Sequence, residues 1–197
     1  MATHKHLKPQ QRHFYITALP GSLAQMVLVC VLWLALNGSV AATEFAMLEA
    51  HDRDNRLQVN EVLVRKQERR LYLIAGDRVV KSYQIGLGDN PVGHKLHEGD
   101  ERTPEGHYTL DWRNPESSFY KSIHISYPNA EDRELASSWG LNPGGNIMIH
   151  GLPNHAKGLQ SAYLGLDWTN GCIAVSNEEM DEIWELVDDG TPIRILP

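Results

Sequence analysis

Two residues able to do covalent chemistry stand in contexts that set them apart. Cys172 follows a glycine in Trp168-Thr169-Asn170-Gly171-Cys172-Ile173-Ala174-Val175 and opens a strand-like apolar run, while His150 ends the run Ile147 to Ile149 and precedes Gly151. A glycine beside a reactive side chain permits backbone angles and a close approach that a Cβ would block. A substrate carbonyl can then reach the sulfur and the adjacent amides together, and those amides can hold an oxyanion. A thiol of ordinary acidity is only a few per cent ionised at neutral pH, so a nucleophilic cysteine needs a partner that accepts its proton. Histidine is the usual partner. The alternative reading makes Cys172 a small buried apolar residue and His150 a core imidazole satisfied by a backbone carbonyl.

The thiol stands out further because the other cysteine is expected to leave the protein. In residues 1–42 the only charges are Lys5, Lys8 and Arg12, an apolar run spans Met26 to Leu36, and small residues follow through Ala41 and Ala42. The run has 11 residues where a membrane-crossing helix needs roughly 20, so the segment reads as a secretory signal peptide cut after Ala41 or Ala42. An uncleaved short anchor is the alternative, and either places the domain in the periplasm or elsewhere outside the cytoplasm. Residues 43–56 form a polar entry and 57–197 a folded domain, with no stable membrane span after cleavage. Cys30 departs with the signal, and an unpaired Cys172 in an oxidising compartment calls for a functional reason.

The 197-residue chain is 42% hydrophobic and 22% charged, an ordinary globular composition. Its formal charge is −7, and loss of Lys5, Lys8 and Arg12 leaves 15 basic against 25 acidic residues, or −10. That balance argues against nucleic acid as a partner and against broad attraction to anionic wall polymers. Lys95, Arg102 and Lys121 are candidate substrate contacts, but each reads first as a solvated surface charge.

The positioning elements follow from the hydrophobic pattern. Residues 57–64, 70–75 and 79–86 read as strands, the last two joined by a Gly76-Asp77 hairpin turn. Gly88 to Gly106 is polar, rich in Gly and Pro, and long enough to be a functional loop. Further strands are expected at 107–112, 122–127 and 147–149, with a short helix at 129–135 and a turn at 142–145. Met180, Ile183, Trp184 and Val187 fall at helical spacing behind a Ser176/Glu179 capping box, with Asp189-Gly190 and Pro192 ending the helix. A last strand spans 193–196. Many strands and one clear helix predict a mainly β domain with a C-terminal capping helix.

A metal site is the competing chemistry. His94-x2-His97 with Glu98 and Asp100, or His150-x4-His155, offers ligand types, but no H-E-x-x-H helix is present and the loop histidines read as solvated residues. No metal or other cofactor is expected.

Ile149-His150-Gly151, then Thr169-Asn170-Gly171-Cys172 and Asn177, resemble the signature of the YkuD-type L,D-transpeptidases, written H-G, then S/T-H-G-C, then Asn. The segment with Lys95, Gly99, Asp100, Thr103, Pro104 and Gly106 resembles the family's T-P-x-G stretch, and the likeness covers residues 57–196. It implies a mixed β-sandwich and thiol acyl transfer on peptidoglycan stem peptides, in cell-wall organisation and cell shape. By position, Cys172 would be the nucleophile and His150 the base. Gly151 would orient the imidazole through its carbonyl, and Gly171 and Cys172 would give oxyanion amides. Thr169, Asn170 and Asn177 would contact substrate. Two departures stand out: Asn170 occupies a usual His position, and Ala174 a frequent Arg position, so the donor carboxylate has no assigned contact. The thioester could pass to a diamino-acid amine, to a lysine of an envelope protein, or to water. The last would make the protein an L,D-carboxypeptidase or amidase, and a non-catalytic wall-binding module is the reading from another class.

Overall fold

The computed structural model describes Glu44, Ala46, Met47 and residues 58–197 apart from 157 and 164, so the expected signal segment and Cys30 lie outside the described residues. Alternation of apolar and polar residues builds most of the remainder. In β2 (Arg70–Ala75), Leu71, Leu73 and Ala75 are buried, with more exposed residues between them, the period-2 pattern of a strand with one face on the core. β2 pairs antiparallel with β1 (Glu61–Arg65) and, through the Gly76-Asp77 turn, with β3 (Arg78–Gln84). Then come β4 (Gly106–Asn114), β5 (Ser122–Ile125), β6 (Met148–His150), β7 (Ile173–Ala174) and β8 (Thr191–Leu196).

These strands form one eight-stranded sheet in the order β3-β2-β1-β8-β4-β5-β6-β7. It is mixed, because β1–β8 and β6–β7 are parallel and the other pairs antiparallel. Bridges from Gly86 to Ala174 and from Gly88 to Thr169 join the chain leaving β3 to the other end of the sheet. The sheet therefore curls round a core that includes Val62, Leu73, Leu110, Ile149, Ile173 and Ile193.

Among the described residues from 58 onward, three α-helices lie outside the strands: α1 (Ala130–Ser138), α2 (Gln160–Tyr163) and α3 (Asn177–Leu186). α3 carries the expected Ser176/Glu179 capping box and buries Met180 and Ile183. It ends before the anticipated Asp189-Gly190 stop: the Arg113 guanidinium from β4 donates to the carbonyls of Trp184 and Val187 and pairs with Asp189 at 2.6 Å. Pro192, expected to follow the helix as a breaker, lies inside β8. α1 runs three residues beyond its expected end from an Asn129/Asp132 capping box. α2 and a 3-10 turn at Asn154–Ala156 were not indicated by the pattern.

The Gly88 to Gly106 loop is held from within. Lys66 is only 2% exposed, and its Nζ donates to the carbonyls of Gly93 (2.6 Å) and Thr103 (2.9 Å) and to the Glu105 carboxylate (2.8 Å). The Asp100 carboxylate accepts from the N–H groups of Leu96, His97 and Arg102 and from Lys95 Nζ at 2.8 Å. Two expectations are corrected here. Lys95 is no solvated charge but a buried partner of Asp100. Lys121 is a surface charge as expected, half-exposed in an ion pair with Asp181 at 2.6 Å. His94 is no free loop residue: its Nδ1 accepts the Glu105 N–H (3.0 Å) and its Nε2 meets the Asp132 carboxylate of α1 (3.1 Å).

Candidate active site

The parallel pair β6–β7 decides which side chains can meet. Ile149 lies opposite Ile173, and His150 opposite Ala174. Ile149 and Ile173 are fully buried in the core, so alternation turns Met148, His150, Cys172 and Ala174 to the other face. Cys172 immediately precedes β7 in the row of Ala174, one step from His150. Two residues separated by 21 others in sequence thus emerge on one face of neighbouring strands.

His150 is 3% exposed, and its Nδ1 contacts the Gly151 carbonyl oxygen at 2.6 Å. A carbonyl only accepts, so Nδ1 carries the hydrogen and Nε2 presents a lone pair. Among the described residues Nε2 has no hydrogen-bond partner. Phe119 packs on the imidazole with ring centroids 4.7 Å apart, and Trp168 meets it edge-on at 5.7 Å. Burial lowers the His150 pKa to about 4 although the Gly151 carbonyl pulls it upward. The imidazole is therefore neutral at pH 7, as a proton acceptor must be.

Gly151 has little room for a side chain. A Cβ there would stand 2.6 Å from Asn177 Oδ1 and 2.9 Å from Tyr120 Cβ. Asn177 Oδ1 accepts the Leu152 N–H at 2.8 Å, so Asn177 holds the chain just past the histidine. The surroundings of Cys172 are equally tight. Gly171 has φ +120°, and a Cβ would lie 2.6 Å from the Arg102 carbonyl oxygen, which requires glycine on both counts. Thr169 is 4% exposed; its hydroxyl donates to the Cys172 carbonyl (2.8 Å) and accepts the Gly171 N–H (3.1 Å). Of the two amides implied for an oxyanion, that of Gly171 is thus engaged, and the Cys172 N–H has no partner among the described residues. Thr169 shapes the turn from inside, whereas Asn170 is exposed and lines a cleft of about 660 Å³ with Lys95, Glu98, Asn142 and Asn146.

The Cys172 thiol donates to the Asn146 carbonyl oxygen, with sulfur and oxygen 3.7 Å apart, and no hydrogen bond joins it to His150 in this conformation. Burial pushes the thiol pKa up, opposed by the Met148 backbone N–H and the charge of Lys95. The strand ladder explains the Met148 contact. Gly151 donates to Lys121, and Ile125 to Ile147, so the intervening Met148 N–H turns away from β5 toward the row of Cys172. The resting pair is a neutral thiol and a neutral imidazole.

Sequence reasoning did not single out Phe119, Met148, Asn146 or Lys66. An aromatic inside the polar Ser117-Ser118-Phe119 stretch was the available signal for the first. The cleft between α1 and the end of β8, about 760 Å³ and lined by His94 and Asp132, contains neither Cys172 nor His150. Among the described residues no three His, Cys, Asp or Glu side chains converge on a metal-sized site, and no helix is long and apolar enough to cross a membrane.

A curled mixed sheet thus brings a glycine-flanked cysteine and a glycine-flanked histidine to one face of two neighbouring strands. Residues 59–195 match the YkuD family model, the L,D-transpeptidase catalytic domain, and the chain belongs to this family. It is 31% identical over 175 residues to YafK of Escherichia coli strain K12, a provisionally named L,D-transpeptidase, covering 84% of this chain and 61% of YafK. The crystal structure of Pgp2, a helical cell shape determining protein from Campylobacter jejuni, superposes with a TM-score of 0.55 at 29% identity over 70% of this chain and 47% of Pgp2. The chain thus spans less than two thirds of either relative.

Proposed function

We propose that the protein is an exported L,D-transpeptidase acting on peptidoglycan stem peptides through a Cys172 thioester. The observation that carries the reading is the shared face of β6 and β7, on which Cys172 lies one step from an imidazole whose Nε2 has no partner among the described residues. Cys172 turns from the Asn146 carbonyl toward His150, and Nε2 takes the thiol proton as sulfur attacks the amide carbonyl between the third and fourth stem residues. The Cys172 N–H donates to the developing oxyanion. The C–N bond then breaks, His150 returns the proton to the departing amine of D-alanine, and the acyl group remains on sulfur. An incoming amine gives up its proton to Nε2 as it attacks the thioester, forming an amide and regenerating the thiol.

Gly151 keeps the imidazole in the productive tautomer through its carbonyl, and Asn177 holds the peptide that follows. Asn170, exposed in the cleft, is the substrate contact of the Thr169-Asn170-Gly171-Cys172 stretch. The signal segment delivers the domain to the periplasm, where its work is on the wall, in keeping with the cell-shape role named for Pgp2. Mass spectrometry of tetrapeptide muropeptides incubated with the enzyme tests the reading. A cross-linked dimer with released D-alanine is expected, and none with Cys172→Ala. Equal turnover by both forms overturns it. A tripeptide product alone would replace transfer with hydrolysis at the same thioester.

A further inference from the structure

Phe119 belongs to the connection between β4 and β5 and is 38% exposed, yet its surroundings are tied down. Its N–H donates to Ser117 Oγ at 3.1 Å. Tyr120 has φ +59° and sends its N–H to Asn154 Oδ1 at 2.9 Å. Asn154 answers with its side-chain amide to the Ser117 carbonyl (2.9 Å) and its backbone N–H to the Ser118 carbonyl (3.1 Å). Two segments, one before β5 and one after β6, are thus laced together, and the Phe119 ring rests on His150 at 4.7 Å with a tilt of 38°. Trp168 stands 6.1 Å from Phe119 and 5.7 Å from His150, and Tyr163 backs Trp168 at 5.0 Å. A lone surface phenylalanine needs no explanation. One laced into place over an imidazole with a free nitrogen does.

We infer that Phe119 is a positioning residue for His150, its ring closing the solvent side of the imidazole against Trp168 so that the base is kept out of water in one orientation. The inference rests on His150 being the base. The groups facing the imidazole agree with it: β5 places Ser122 in register with it and β7 places Ala174, the two aromatic rings cover it, and Cys172 is the titratable neighbour. Lys121, beside Phe119 in sequence, is engaged with Asp181. The downward shift of His150 has burial as its main cause, and no charged side chain contributes. Desolvation penalises the imidazolium, so removing the ring lets water back and raises the pKa toward 6.5. The native imidazole stays neutral throughout pH 5 to 8, whereas the opened one gains protons below about pH 6.

The test is a histidine NMR titration on the full chain, with the His150 resonance assigned by its loss in His150→Gln. Phe119→Ala is expected to raise the His150 midpoint by about one pH unit or more, a tenfold change in protonation. Phe119→Tyr, which restores a ring of the same shape, returns it to within about 0.3 unit of the wild type. A role in stability alone would lower the thermal midpoint and leave the titration where it was. An unmoved midpoint in Phe119→Ala overturns the inference, as does an equal rise in Phe119→Tyr. If Phe119→Ala does not fold, Phe119→Leu serves: an intermediate rise supports the inference and no rise overturns it. The titration needs no substrate, so its failure is distinct from that of the proposed function, which falls if Cys172→Ala still turns over.

Discussion

His94 and His150 show how differently one side chain is used at two places in this domain. Both imidazoles are anchored at Nδ1 by a neighbouring backbone group. At His94 that group is the Glu105 N–H, so Nδ1 accepts, and Nε2 is engaged by the Asp132 carboxylate. At His150 the group is the Gly151 carbonyl, so Nδ1 donates and Nε2 is left with a lone pair. The first ring is saturated and ties the long loop to α1. The second is half-satisfied and lies on the same sheet face as the thiol, one strand away. What separates a structural imidazole from a candidate base is the direction of its first hydrogen bond, which fixes what the second nitrogen can do.

The comparison breaks most sharply at the thiol. Cys172→Ala is expected to lower D-alanine release by about 10⁴-fold or more, because it removes the sulfur on which the acyl group is held; muropeptide binding should persist, as equilibrium binding can check. His150→Gln keeps an amide in place of the ring but removes the proton acceptor, and the expected loss in kcat is about 10²–10⁴-fold. His94→Ala should do the opposite. It leaves the Asp132 carboxylate and the Glu105 N–H short of partners, which costs about 1–3 kcal/mol of stability in denaturant unfolding, while kcat per folded molecule stays within about twofold. If His94→Ala abolished turnover with its stability intact, the division between the two histidines would fail.

Much of this contrast was legible in the sequence, and the reason lies in its range. Glycines beside Cys172 and His150, the capping box at Ser176 and Glu179, and the alternation in β2 are local patterns whose physical meaning does not wait for the fold. They singled out Cys172, His150 and the helix behind Ser176. The partnerships of Lys66 with Gly93, Thr103 and Glu105 join residues 27 to 39 positions apart, and nothing near Lys66 announces them. The last carbonyls of α3 are taken up by Arg113, more than seventy residues upstream. His94 was misread for the same reason: Asp132, which engages its Nε2, belongs to a helix on the far side of β4. The Gly171 amide is instead a short-range miss. Thr169 lies only two residues away, but whether its hydroxyl turns inward to that N–H or outward to substrate depends on the packing of the turn.

The smallest expected effect concerns the loop beside the thiol and comes from acid. Burial pushes Asp100 upward, but its bonds to Lys95 and to the N–H groups of Leu96, Arg102 and His97 outweigh that and hold its pKa below the ordinary carboxylate value of 3.8. A carboxyl whose folded pKa lies below its unfolded one adds stability that is fully present above the unfolded value and is lost as pH falls through the folded one. Asp100→Asn keeps an acceptor for the loop amides but removes the charge that faces Lys95. Its thermal midpoint should therefore lie below that of the wild type at pH 6, with the gap narrowing as pH falls below about 4. Calorimetry across that range checks it. A gap that stays constant to pH 2 would show that the Asp100 charge contributes nothing, and that the loop is held against the Cys172 side of the domain by Lys66 and the backbone bonds alone.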